Sequence, residues 1–307
     1  MTATLTFATR PSALALWQTR WVMGALQSAW SDLECSEVLI TTQGDRILDK
    51  PLPEIGGKGL FTQELEGELY QGHVHAAVHS LKDLPVENPP GLVLGAIPVR
   101  GEVRDALIAP RGFTLDDLPQ GARVGTSSLR RSAQLLIRRP DLRIQPLRGN
   151  VDTRLRKAEG GDYDAILLAG AGLERLGLTA RITQWLPLEV MLPAPGQGAL
   201  AVQCRSGDTP TLERLAPLED QGTRLRVTAE RAFLQGLGGG CSLPVAAHAE
   251  IQDGVIHLTG RVISLDGRQV IDCRASGTDP NGVGATCARQ AQAEGAGELL
   301  AAILPAE

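Results

Sequence analysis

Residues 192–204 read LPAPGQGALAVQC, with two prolines and two glycines in the first seven positions and then an apolar run of strand character. Such a stretch is a linker that feeds directly into a strand. A second linker-like stretch, PVRGEVR, stands at 98–104. The segment between the two alternates short β-rich runs (DALIAP, ARVGTS, RIQPLR, DAILLA) with helical patterns at 128–138 and 151–158. The segment before 98 does the same, with LTFAT, SEVLITT, AAVHS and LVLGAIP around a helical stretch at 12–29. Alternation of this kind predicts mostly parallel sheets with crossover helices. If strand 199–204 returns to the first sheet, two lobes are joined by a double hinge around a cleft.

After about residue 220 the pattern changes to a helix (TRLRVTAERAFLQGL), alternating strands (VIHLTGRVIS, RQVIDCRA) and a final Ala-rich helix. This predicts a small third unit of α+β type. The expected boundaries are 1–98 with 199–217 for a discontinuous first domain, 104–192 for the second and 221–307 for the third.

The 307 residues carry a net charge of −5, which argues against a general nucleic-acid binder. No window is long and apolar enough to cross a bilayer, and the N-terminus lacks the pattern of a signal peptide, so a cytoplasmic protein is expected. The five cysteines (Cys35, Cys204, Cys241, Cys273, Cys287) are odd in number and show no C-x-x-C spacing, which speaks against a disulfide framework or zinc site. Cys35, Cys204, Cys273 and Cys287 lie in or beside apolar runs and are expected in the core. Cys241 differs, following three glycines in GLGGGCSLP.

Only four of the basic residues are lysines, and twelve arginines against six acids crowd into 100–156. That local excess suits a small polyanion held by planar guanidinium forks. A solvated face rich in arginine is the plain alternative. In α/β sheets ligands bind beyond the carboxyl ends of the strands, where helix N-termini point. Arg10 and Ser12 follow the first strand, and Lys82 and Asp83 follow AAVHS. Thr126, Ser127 and Ser128 offer N-cap hydroxyls just before Arg130 and Arg131. Two cations in a first helical turn oppose the helix dipole, and a broken local rule points to function. Arg148, Gly149 and Arg154 repeat the arrangement in LRGNVDTRL.

Taken in order, HSLKDLP, VGTSSLRR, LRGNVDTRL, DAILLAGAGLERLGL, LPAPGQGAL and LRVTAERAFLQGLGGGCSLP resemble the porphobilinogen deaminase (hydroxymethylbilane synthase) family over nearly the whole chain. The fold expected is α/β, with two periplasmic-binding-protein-like lobes of mixed, mostly parallel sheets joined by a double hinge, plus a small C-terminal α+β domain. The resemblance implies a transferase of tetrapyrrole (porphyrin) biosynthesis. It condenses four porphobilinogen molecules head to tail, releases ammonia at each step, and frees hydroxymethylbilane by hydrolysis. It implies a dipyrromethane cofactor joined by a thioether to Cys241, Asp83 as the catalytic carboxylate, and carboxylate clamps at Arg10, Lys82, Arg130, Arg131, Arg148, Arg154 and Arg175. Ser12, Thr126, Ser127, Ser128 and Gly149 are polar and backbone donors around them. A monomer that hands its product to uroporphyrinogen-III synthase, with no nucleic acid or membrane as partner, completes the expectation.

The stretch GDRILDKPLPEIGGKGLF at 44–61 is read as a lid, with Lys58 and Phe61 near the cleft. Glu54 stands where many bacterial relatives carry lysine, and Gly238 where relatives often have a larger polar residue. GGKG does not have the spacing of a phosphate loop. His73, His75 and His79 share a face if they lie on one strand, yet nothing completes a metal set, and no metal is expected. Two other classes stand beside the deaminase reading. A two-lobed small-anion-binding protein without catalysis leaves Cys241 and Asp83 unexplained. A cysteine hydrolase needs a base partnered with Cys241, for which His248 is nearest in sequence.

Overall fold

The computed structural model describes residues 3–46, 62–239 and 243–303; Glu54, Lys58, Phe61 and Cys241 lie outside the described residues. The chain builds β1 (Ala3–Thr9), β2 (Leu33–Leu39), β3 (Ala76–Ser80) and β4 (Leu92–Ala96), then β5 (Asp105–Ile108), β6 (Arg123–Gly125), β7 (Arg143–Gln145), β8 (Ala165–Ala169) and β9 (Gln184–Trp185). It continues with β10 (Leu200–Arg205) and closes with β11 (Val245–Gln252), β12 (Val255–Ile263) and β13 (Val270–Gly277).

These strands form three sheets, in the orders β2-β1-β3-β10-β4, β7-β6-β8-β5-β9 and β11-β12-β13. In the first, β1 runs parallel to β2 and β3, whereas β10 is antiparallel to both its neighbours. In the second, β6 runs parallel to β7 and β8, whereas β5 is antiparallel to β8 and β9. Each five-stranded sheet therefore has one reversed strand in the same place, and it is the strand reached by crossing from the other sheet. Strand 200–205 does return to the first sheet, so the chain crosses twice. The inner strands are buried nearly throughout, as in AAVHS and AILLA, because parallel sheets are covered on both faces.

The third sheet alternates buried and exposed residues along β13, from Val270 outward and Ile271 inward to Ala275 inward. Its inner face packs on helices Gln221–Gly236 and Pro280–Ala293 through Phe233, Leu258, Val262, Val283 and Cys287. Strand β11 is an addition to the two strands expected here. Its sequence, VAAHAEIQ, is alanine-rich and poor in the β-branched and aromatic residues that mark strands. Tertiary contacts hold it instead, since the Ala247 amide donates to the Pro193 carbonyl (3.0 Å) and the Ala249 amide to Glu230 (2.9 Å). Cys204, Cys273 and Cys287 are buried and Cys35 is half-buried.

The two crossings lie side by side. The Gly101 amide donates to the Gly198 carbonyl at 3.1 Å. Gly198 has φ +87°, and a Cβ there would stand 2.7 Å from the Glu102 carbonyl oxygen, so only glycine fits. A buried ion pair from the third unit fastens both crossings. Arg100 Nη1 lies 2.7 Å from Glu230, with side-chain exposures of 2% and 0%. Arg100 Nε donates to the Gln197 carbonyl (2.8 Å), and Glu230 accepts the Gly196 amide (2.7 Å). A buried pair holds only when its remaining donors and acceptors are also met, as they are here.

Candidate active site

The parallel strands end in helix caps or tight turns, which puts short polar segments at the mouth of each sheet. Ser12 caps helix α1 (Ala13–Ala29), Ser128 caps α2 (Leu129–Arg138) and Asn150 caps α3 (Val151–Glu159), each accepting an amide three residues on. After β3 the chain makes one 3-10 turn, Leu81–Asp83, which presents Lys82 and Asp83. Arg10, Ser12, Gln18, His79, Ser80 and Asp83 line one cavity. Arg10 also pairs with Asp45, at the start of the stretch read as a lid.

The second lobe answers with cations. Burial pushes Arg154 down to about 10; the charges of Arg131 and Arg148 push the same way, while Asp83 opposes them. Burial likewise pushes the Lys82 ammonium down to about 8, with Asp83 opposing and Arg131 adding to the fall. Asp83, which is exposed, thus stabilises cations from both lobes, Lys82 from its own and Arg154 from the other, as buried Asp105 does for Lys82 and the arginines of its own lobe. Gly149 has φ +113°, and the Arg154 Nε bonds to its carbonyl at 2.7 Å.

Several expected site residues have internal duties. Arg130 and Arg131 are both buried and share Asp105, at 2.7 and 2.8 Å. The dipole conflict read in the first turn of α2 therefore has a local answer. Burial pushes the Asp105 carboxyl up, but the two guanidinium groups outweigh it and hold it well below the usual range. Arg130 donates besides to the Leu192 carbonyl and Arg131 to the Leu167 carbonyl. The Ser127 hydroxyl accepts the Leu147 amide and donates to the Leu147 carbonyl, which pins the strand before Arg148. Thr126 Oγ1 accepts the Ser128 amide (3.1 Å). Arg175 turns to the hinge, donating to the Gly198 carbonyl (2.6 Å) and lying over Trp17.

Two residues that sequence reasoning did not single out tie the site together. Asp105 was visible only as an acid opening an apolar strand, a position that demands a partner. Gln197 is wholly buried in the second crossing. Its amide nitrogen donates to Asp105 (3.0 Å) and the Val103 carbonyl (2.7 Å), and its oxygen accepts from Lys82 Nζ (3.3 Å). One side chain thus joins the cations of both lobes through the hinge.

The histidines do not converge. His73 and His75 precede β3, so strand alternation does not govern them. His73 pairs with Glu68, His75 accepts the Thr6 amide, and burial pushes His79 down to about 4. Among the described residues no three His, Cys, Asp or Glu side chains are grouped to hold a metal. No helix among them is long and apolar enough to cross a membrane. His248 lies beside Glu230 and Glu250 in the third sheet.

The family model described as "Porphobilinogen deaminase, dipyromethane cofactor binding domain" matches residues 5–213, and "Porphobilinogen deaminase, C-terminal domain" matches 224–293. The chain is 52% identical to the porphobilinogen deaminase of Brevibacillus brevis, over 96% of both chains. It is 49% identical to that of Acidithiobacillus ferrooxidans, over 98% of both. The chain belongs to the porphobilinogen deaminase family. Of solved structures, the methionine-binding protein MetQ resembles it over 70% of this chain and 89% of that one, at 11% identity and a TM-score of 0.46. The site fits the cofactor of the porphobilinogen deaminase family on its own electrostatics. Lys82, Arg131, Arg148 and Arg154 crowd one another in a poorly solvated cleft, and the carboxylates of a dipyrromethane would relieve that repulsion.

Proposed function

We propose that this cleft carries out the family's reaction, the condensation of four porphobilinogen molecules into hydroxymethylbilane with loss of four ammonia, through the residues named above. The observation that carries the reading is Asp83, poised between cations of the two lobes at the mouth of the first sheet. A carboxylate there stabilises the delocalised cation that forms when the substrate pyrrole expels its aminomethyl group, and it accepts hydrogen bonds from pyrrole N–H groups. Lys82, Arg131, Arg148 and Arg154, with Arg10 at the rim, hold the acetate and propionate groups so that carbon meets carbon. Arg130 braces Arg131 through Asp105, and Arg175 holds the hinge. Bound dipyrromethane, attached at Cys241, supplies the free pyrrole carbon on which the chain grows. The lobes 1–98 with 199–217 and 104–192 flex about the double hinge. The protein acts as a cytoplasmic monomer and passes its product to uroporphyrinogen-III synthase.

The reading is tested by incubating the purified chain with porphobilinogen alone. One ammonia is expected per porphobilinogen consumed, together with a linear tetrapyrrole; binding without ammonia release would leave only an anion-binding protein.

Binding also has a proton signature. Before substrate binds, burial holds the Lys82 ammonium down to about 8, so at pH 9 it is mostly neutral. A substrate carboxylate beside it favours the ammonium and raises its pKa, so binding takes up a proton. Loss of the Asp83 charge lowers Lys82 further, so calorimetry of the Asp83→Asn variant with porphobilinogen, in two buffers of different ionisation enthalpy, is expected to show uptake of about one proton at pH 9 and progressively less as the pH is lowered. Equal heats in the two buffers at pH 9 would remove Lys82 from the site.

A further inference from the structure

The turn that carries Lys82 and Asp83 is held from outside its own lobe. It makes a single bond of its own, from the Leu84 amide to the Leu81 carbonyl (3.1 Å), and Pro85 then ends it. Its own lobe adds a bond from the Leu81 amide to the Ala199 carbonyl (3.0 Å), and the guanidinium of Arg231, buried in helix α4 (Gln221–Gly236) of the third unit, takes the turn's carbonyls. Its Nη1 donates to the carbonyls of Leu81 (3.4 Å) and Leu84 (3.3 Å), and its Nη2 to those of Pro85 (2.5 Å) and Val86 (3.0 Å). Four carbonyls that point away from any strand partner are gathered by one planar fork of donors.

The same helix leads to the cysteine segment. The Gly238 and Gly239 amides cap its end, bonding to Gln235 (3.0 Å) and Leu234 (2.9 Å). Both glycines have positive φ, +94° and +64°. A Cβ on Gly239 would stand 3.9 Å from the Val86 side chain. The residue whose carbonyl Arg231 holds therefore lies near the chain two positions before Cys241. Next to Arg231, Glu230 fastens the hinge.

We propose that Arg231 is a positioning residue for the reaction. It clamps the 81–86 turn so that the Asp83 carboxylate keeps a set place relative to the segment leading to Cys241. This rests on the reading that Asp83 performs the chemistry. A displacement of about 1 Å at a reacting centre can lower a rate on the order of 10²-fold. A seal between the third unit and the first lobe, with no bearing on catalysis, is the alternative.

The test uses Arg231→Ala and Arg231→Lys in the full chain, with cofactor loading counted by intact mass and rates expressed per loaded molecule. For Arg231→Ala, kcat is expected to fall on the order of 10²-fold while KM for porphobilinogen rises no more than about threefold, because, of the carboxylate clamps, only Lys82 shares the turn and Arg131, Arg148 and Arg154 stay in place. Added guanidinium ion is expected to restore part of kcat. Hydrogen exchange of the peptide spanning 80–87 is expected to quicken, with β1 and β10 unchanged. Arg231→Lys keeps the charge but has one nitrogen for four carbonyls, so it falls between parent and alanine variant; if the alanine variant does not fold, the lysine variant decides on the same readouts. A kcat within about twofold of the parent overturns the proposal, as does a loss of stability with kcat and KM altered together and no response to guanidinium. Asp83→Ala, run in parallel, separates the two claims. If it turns over normally, the catalytic reading fails; if it is inactive while Arg231→Ala is unimpaired, only the positioning role fails.

Discussion

Asp83→Ala is expected to lower turnover of porphobilinogen by at least about 10³-fold, the scale on which enzymes lose rate when a group that stabilises transition-state charge is removed. KM is expected not to rise. Asp83 opposes the charges of Lys82 and Arg154, so without it the cleft is more positive and holds the substrate carboxylates no less well. A fall in kcat alone marks an interaction made in the transition state. The fold is expected to survive with a stability change of about 0.5 kcal/mol, since Asp83 is exposed and lies on a turn held by its backbone carbonyls. Asp83→Glu keeps the charge but displaces it, and falls between the two. Steady-state rates with a thermal melt of each variant check this. An alanine variant within tenfold of the parent would take Asp83 out of the chemistry.

The second large effect is at Cys241. The purified parent is expected to weigh more than its sequence by one dipyrromethane, and Cys241→Ser is expected to match its sequence and to be inactive. A serine hydroxyl is a far weaker nucleophile than a thiolate at neutral pH, so the thioether has no counterpart in the variant. Intact-mass spectrometry decides it directly, and an aldehyde colour reagent for pyrroles on the denatured proteins gives the same answer by another route. A parent that is active at its bare sequence mass would falsify the attachment.

Much of the arrangement was legible in the chain. Caps at Ser12, Ser128 and Asn150 follow from one rule, that the first amides of a helix need an acceptor, and that rule acts over three or four residues. Runs such as AAVHS and AILLA announce strands covered on both faces, and the Pro/Gly stretches at 98–104 and 192–198 announce the crossings. Other features escaped because their causes are remote in sequence. Strand β11 is poor in strand-forming residues and is held by β12, Pro193 and Glu230. Arg175 was grouped with the carboxylate clamps, yet it docks on Gly198, across the hinge.

By itself, then, the sequence determined the local periodicities, the caps, the two linkers and the positions where arginines gather at strand ends, because each depends on neighbours within a turn or two. Only the tertiary structure decided how those charges are shared. Asp105 neutralises one of two arginines that stand 25 and 26 residues away, Gln197 reaches Asp105 across 92 residues, and Arg231 holds the Asp83 turn across about 150. A buried polar group must find its partner in space, and nothing in its own segment says where that partner will come from. GLGGGCSLP is the clearest case of the division. Its glycines declare a backbone of unusual freedom, but the approach of Gly239 to Val86, beside the turn that Arg231 clamps, exists only once the third unit is docked on the first lobe.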